Sequence, residues 1–139
     1  LHDIGKLRIP TEILNKASGL SELEYEMIKE HPVKSCELLS DIDFDQPVKK
    51  IILQHHEKVN GTGYPHGLVG EEILLQSRIL CVSDVVKAMS SHRPYRPAFK
   101  IEEVLEYIKE NAGTLFDERV VKACLDVFDE GFEFNVDGG

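Results

Sequence analysis

The stretch Gln54-His55-His56-Glu57-Lys58-Val59-Asn60-Gly61-Thr62-Gly63-Tyr64-Pro65 decides the reading of this chain. Two adjacent histidines close an apolar run in which Val48, Ile51, Ile52, His55 and His56 recur at three- and four-residue spacings. That period predicts a helix opened by Pro47, with both imidazoles on the border of its apolar face. A buried imidazole needs a partner on each ring nitrogen, and a metal ion on one with an acceptor on the other supplies both. Glu57 falls on the outer side of the same helix and is given no metal role. The run Gly61 to Gly70 is a loop by composition, with Tyr64 as the aromatic ring able to stack or dock; His66 is expected in solvent.

Outward from this stretch, the composition bounds the rest. A chain of 139 residues is one domain with room for a core. A net charge of −9 argues against general DNA binding, while leaving room for a small anion held by local cations. No apolar run approaches the roughly 20 residues of a membrane span. Cys36, Cys81 and Cys124 stand far apart and read as reduced, mostly buried thiols of a cytoplasmic protein. The chain opens on Leu1-His2-Asp3 as if within a helix, so a fragment of a longer protein is expected.

Toward the N-terminus, His2-Asp3 sets an imidazole beside a carboxylate able to bridge two cations; the plain alternative is an ordinary terminus. Gly5 is read as a helix stop, and Lys6 lies one turn from Asp3, where an ammonium can meet a phosphate oxygen. Ile9-Pro10 to Leu14 predicts a short helix. Ser21-x-x-Glu24 is a capping box opening a helix that ends near Glu30. His31-Pro32 interrupts it, since the residue before proline is pushed out of the helical region. His31 is thereby either an aimed ligand or a half-buried structural histidine.

Toward the C-terminus, a helix is expected from Glu71 to Met89 with Asp84 inside its apolar run. A carboxylate there is costly unless paired or metal-bound; the alternative places it on a polar face with Ser83 and Lys87. In His92-Arg93-Pro94-Tyr95-Arg96-Pro97-Ala98 the prolines predict an extended, stiff segment presenting two guanidinium forks suited to phosphate, or else to structural ion pairs. Two amphipathic helices follow, from about Ile101 to Asn111 and from an Asp117 cap to Gly131, then a loosely ordered tail over 131–139. Phe132-Glu133-Phe134 is the single strand-like stretch.

In this order, His2-Asp3-Ile4-Gly5-Lys6, His31-Pro32, His55-His56-Glu57, Gly61-Thr62-Gly63-Tyr64-Pro65, Asp84 and the Arg93–Arg96 segment resemble the HD-GYP family, a branch of the HD superfamily of phosphohydrolases. The resemblance runs from residue 1 to about 128. It implies an all-α HD helical bundle over 1–139, with its core in 1–130, lacking the family's preceding helices and the further ligand they carry. It implies two or three divalent metal ions, iron or manganese being usual, and hydrolysis of cyclic di-GMP to linear pGpG and sometimes on to GMP. Carried across, His2, Asp3, His31, His55, His56 and Asp84 match metal ligands, with Asp3 bridging. Lys6, Arg93 and Arg96 match phosphate contacts, Asp3 and Lys6 being the catalytic pair. Tyr64 lies in the loop linked to substrate binding and to docking of GGDEF-type domains; a sensory or receiver domain is expected upstream. No side-chain nucleophile is needed, because metal-activated water attacks phosphorus. The alternatives are an HD phosphohydrolase acting on another cyclic dinucleotide or nucleotide, and a non-catalytic module binding a ligand or partner.

Overall fold

In the structure, a computed structural model, residues 1–93 and 96–133 are described. A 3-10 turn, Ile4–Arg8, precedes seven α-helices: α1 (Thr11–Leu14), α2 (Glu22–Lys29), α3 (His31–Leu38), α4 (Val48–Gln54), α5 (Leu75–Ser90), α6 (Ile101–Glu110) and α7 (Glu118–Asp129). Among the described residues there is no strand, only isolated bridges, so the all-α expectation holds. Phe134 and the rest of the tail lie outside the described residues.

The local signals act as their chemistry dictates. Ser21 accepts from the Glu24 amide while the Glu24 carboxylate accepts from the Ser21 amide, closing the capping box. Asp117 caps α7 by accepting from the amides of Arg119 and Val120. His31 and Pro32 occupy the first two positions of α3, where proline's missing N–H costs nothing.

Two cores meet at α5. Toward the C-terminus, Cys81, Val82 and Val86 of α5 pack with Val104 and Ile108 of α6, Phe116, and Val120 and Val121 of α7. Toward the N-terminus, the Ile4–Arg8 turn lies against α3, and α3 against α4. Two side chains join the halves: Gln54 Oε1 accepts from the Leu74 amide at 2.8 Å, and Ser77 Oγ donates to the Ile51 carbonyl at 3.1 Å.

Three expectations are corrected. The helix expected from Glu71 begins at Leu75, because Gly70 takes a left-handed φ of +54° and Leu74 is drawn out of helical geometry toward Gln54. Gly5 does not stop a helix; it sits inside the 3-10 turn, where a Cβ would lie 2.2 Å from the His31 carbonyl oxygen and 2.6 Å from the Ser35 amide. Its lack of a side chain lets the His2-Asp3 segment press onto α3. Arg93 and Arg96, expected on one extended segment, instead exchange backbone hydrogen bonds of 2.9 and 3.1 Å. Pro94 and Tyr95 lie outside the described residues.

Candidate metal centre

Three elements converge on Asp3. The Gly5 contact, with Ser35 Oγ accepting from the Gly5 amide at 2.8 Å and donating to the His2 carbonyl at 3.2 Å, seats the N-terminal turn on α3. The start of α3 supplies His31, and the end of α4 supplies His55 and His56. Asp3, His31, His55 and His56 each present a ligand atom, all within 4.8 Å of one another. A second group shares Asp3: His2, Asp3 and Asp84 meet within the same limit. Asp84 reaches it from α5, its carboxylate 3.2 Å from His2 Nε2. The six ligand-type residues singled out in the sequence are thus brought together, around one shared carboxylate.

The state of their atoms tests whether a cation fits. His31 and His55 are 1% and 0% exposed, and each turns Nδ1 onto the backbone carbonyl three residues earlier, of Ile28 and Ile52. Those carbonyls only accept, so Nδ1 carries the proton and Nε2 keeps its lone pair. The Nε2 atoms of His31, His55 and His56 are all buried and without a hydrogen-bond partner, and the buried Oδ1 of Asp3 beside them has the Lys6 ammonium 3.2 Å away. Buried polar atoms normally find one, and four acceptors turned on one point are what a divalent cation satisfies. Nitrogen and carboxylate donors without thiolate suit a divalent first-row ion.

The electrostatics agree. Burial, then the neighbouring imidazoles, push the His55 pKa down to about 4 and that of His56 to about 2, so both rings stay neutral at pH 7 with lone pairs available. Burial pushes the Asp3 pKa upward, but the Lys6 ammonium beside it, with His2, outweighs this and holds the carboxyl below the usual carboxylate range. Lys6 Nζ stands 3.2 Å from Asp3 Oδ1.

The remaining site residues divide. Tyr64 stacks on His56, centroids 4.9 Å apart and planes 15° from parallel, with a cis peptide bond to Pro65 following it. Burial raises its hydroxyl pKa, so it stays protonated. The Arg96 guanidinium donates to the carbonyls of Ala88 and Pro97 and covers the Phe99 ring at 4.8 Å. No side-chain hydrogen bond or ion pair holds Arg93 among the described residues. His66 is exposed, as expected.

Glu57 is the residue that sequence reasoning missed. It is 2% exposed, not on the outside: its carboxylate oxygens accept from the His66 amide at 2.6 Å and the Leu68 amide at 2.9 Å. The helix ends at Gln54, so helical phase no longer applies at Glu57. A glutamate next to a glycine-rich loop full of unpaired amides was the available signal.

A groove of about 630 Å³ between α5 and α7, lined by Leu75, Ile79, Val82, Val86 and Val127 among others, is apolar and offers no ligand set.

The family model of the HD domain matches residues 1–120. Over 127 residues the chain is 46% identical to the cyclic di-GMP phosphodiesterase response regulator RpfG of Xanthomonas campestris, covering 90% of this chain and 34% of that protein. It is 39% identical over 127 residues to a cyclic di-GMP phosphodiesterase of Thermotoga maritima, covering 90% of this chain and 34% of that one. It is 38% identical over 117 residues to the 3'3'-cGAMP-specific phosphodiesterase 3 of Vibrio cholerae, covering 84% and 25%. The chain thus spans between a quarter and about a third of the length of these curated relatives. Among solved structures, Bd1817, a HDG"Y"P protein from Bdellovibrio bacteriovorus, superposes with a TM-score of 0.71 over 93% of this chain and 41% of its own, at 22% identity.

Proposed function

The chain belongs to the HD domain family, and from that premise we propose that it is the HD-GYP-type catalytic domain of a metal-dependent phosphodiesterase that hydrolyses cyclic di-GMP to linear pGpG and on to GMP. The observation that carries this reading is the set of three buried, partnerless imidazole nitrogens, of His31, His55 and His56, turned on the Asp3 carboxylate.

In this reading His31, His55 and His56 hold one cation with Asp3, and His2 and Asp84 hold a second through the same Asp3. Iron or manganese ions bound there supply Lewis-acid chemistry, acidifying water and taking up charge on a phosphodiester. The chain's own contribution is position. Carbonyls of Ile28 and Ile52 fix two imidazoles in the tautomer that leaves Nε2 free. Asp3 remains ionised and joins the two groups. Lys6, paired with Asp3, and Arg93 after α5 supply cationic donors for phosphate oxygens. Tyr64 lines the same side of the site. Arg96 supports the reading less directly, since its donors already serve the end of α5.

Free Cys36, Cys81 and Cys124 support a reducing, cytoplasmic setting, and no helix among the described residues is long and apolar enough to cross a membrane. A GGDEF-type partner at the Gly61–Pro65 loop and a sensory or receiver domain in the parent protein complete the proposal.

A second reading, the same chemistry on 3'3'-cGAMP, is favoured by the 38% identity to a phosphodiesterase of that name. One experiment tests both: elemental analysis of protein purified without chelator, with hydrolysis of each dinucleotide measured side by side. Two or more equivalents of iron or manganese, turnover of cyclic di-GMP, and loss of both in Asp3→Ala are expected. Faster turnover of 3'3'-cGAMP selects the second reading. Metal without turnover of either leaves a ligand-binding module and overturns the enzyme.

A further inference from the structure

Of the three imidazoles around Asp3, the buried His31 and His55 are oriented by hydrogen bonds, and the half-buried His56 is not. His31 and His55 each anchor Nδ1 on a backbone carbonyl; His56 has no hydrogen bond to Nδ1 among the described residues. A ring without such an anchor turns about its side-chain bonds, and a turned ring no longer aims Nε2 at Asp3. His56 is held by a different device, the face of Tyr64.

The position of Tyr64 is in turn fixed by the loop. Its amide donates to the His56 carbonyl at 3.2 Å. Gly63 lies so close to the backbone of His56, Glu57 and Lys58 that a Cβ would come within 2.5 Å of all three. Beyond Tyr64, the next two anchored amides, of His66 and Leu68, both end on the Glu57 carboxylate. On its far flank the ring meets Lys29 of α2, whose Nζ is 5.7 Å from the centroid.

We infer that Glu57 is a positioning residue for the metal centre: it clamps the Gly-Tyr-Pro loop so that Tyr64 stays stacked on His56, and the stack replaces the hydrogen bond that this one ligand lacks. The inference rests on the metal-centre reading above, and deepens it by giving the loop a role at the metal. Glu57 itself touches neither cation nor substrate. A carboxylate is required because both oxygens must accept; glutamine would turn an NH2 group toward one of the two amides.

The test is manganous-ion affinity of the metal-stripped 139-residue chain, read as free ion by electron paramagnetic resonance, which is independent of turnover. Glu57→Gln is expected to weaken binding about tenfold, the low end of what outer partners of metal ligands contribute. Tyr64→Leu, which removes the flat ring, is expected to match it, while Tyr64→Phe retains native affinity. Because both act through one stack, the double variant Glu57→Gln/Tyr64→Leu is expected to lose no more than either single. Gln54→Leu, which cuts a buried side-chain anchor to a different segment, is expected to lower the melting temperature without moving affinity. Should Glu57→Gln not fold, Glu57→Asp, which keeps the charge but shortens the reach, carries the same comparison.

Native affinity in the Glu57 variants, or losses that multiply in the double variant, overturns the inference and leaves the metal centre standing. No manganese binding by the unaltered chain overturns the metal-centre reading and this inference with it.

Discussion

Asp3 Oδ1 and His31 Nε2 face each other at 3.3 Å in the interior, close enough to touch and yet not hydrogen-bonded. His31 has committed its proton to the Ile28 carbonyl on the other side of the ring, so two lone pairs point into one space. Such a pair is unfavourable in the folded chain on its own and favourable once a cation lies between. Metal binding should therefore stabilise the fold. With free manganese at about 100 times its dissociation constant, linkage gives about 2.7 kcal/mol, a rise in melting temperature of roughly 10 °C for a domain this size. A calorimetric scan with and without chelator checks it. The rise should be absent in Asp3→Ala.

Four of the six ligand-type residues were legible because each breaks a local rule: His55 and His56 on an apolar face, Asp84 inside an apolar run, His31 at a helix break; His2 and Asp3 stood out only through the family resemblance. What was not legible was why they meet. Gly5 looked like a stop signal, and only the packing shows it as a point of close approach. Glu57 looked exposed because helical phase was carried three residues too far. Arg96 looked like its neighbour Arg93, because sequence gives the charge of a guanidinium but not the carbonyls it finds. The Gly5 and Glu57 readings failed on contacts made outside the residue's own turn or helix, on which helical pattern is silent.

Gly5 gives the second prediction. A Cβ at this position would fall 2.2 Å from the His31 carbonyl oxygen, a backbone atom that can move only if α3 moves. Gly5→Ala should cost about 2 kcal/mol or more, in the range of overpacked cores. It should also displace His31 from Asp3, so metal affinity should fall together with stability. Denaturant titration and metal titration of the same variant check the pairing. A variant with reduced stability and unchanged affinity would mean that the turn and α3 separate without disturbing the ligands.

Asp117 gives a pH prediction away from the centre. Burial raises its pKa, but the hydrogen bonds from Arg119 and Arg78 and from the capped amides outweigh that and bring it down to about 2 from 3.8. The folded state thus binds the proton more weakly than the unfolded state. Its contribution to stability is full above about pH 4 and is lost as pH falls through 3.8 toward 2. Asp117→Asn keeps a capping oxygen but removes this dependence. Acid unfolding followed by circular dichroism should be less steep between pH 4 and pH 2 in the variant, while its metal content at pH 7 stays native.

The two arginines after α5 separate a structural from a ligand-facing role. Arg96 donates to the Ala88 and Pro97 carbonyls and lies over Phe99, so it satisfies the end of α5 and ties the following chain to it. Arg96→Ala removes both donors and the packed guanidinium, and should lower stability by about 1–2 kcal/mol whatever it does to turnover. Arg93 carries no such contacts among the described residues, so Arg93→Ala should leave the melting temperature within about 1 °C of native, the small change expected of a side chain away from packed or paired groups. If Arg93 meets a substrate phosphate, the same variant should raise KM for cyclic di-GMP about tenfold, the loss of one charge-assisted hydrogen bond. Melting scans beside steady-state kinetics separate the two effects. An Arg93→Ala variant with native KM removes Arg93 from the substrate site. An Arg96→Ala variant that keeps native stability but loses KM would move Arg96 from the helix end to the ligand.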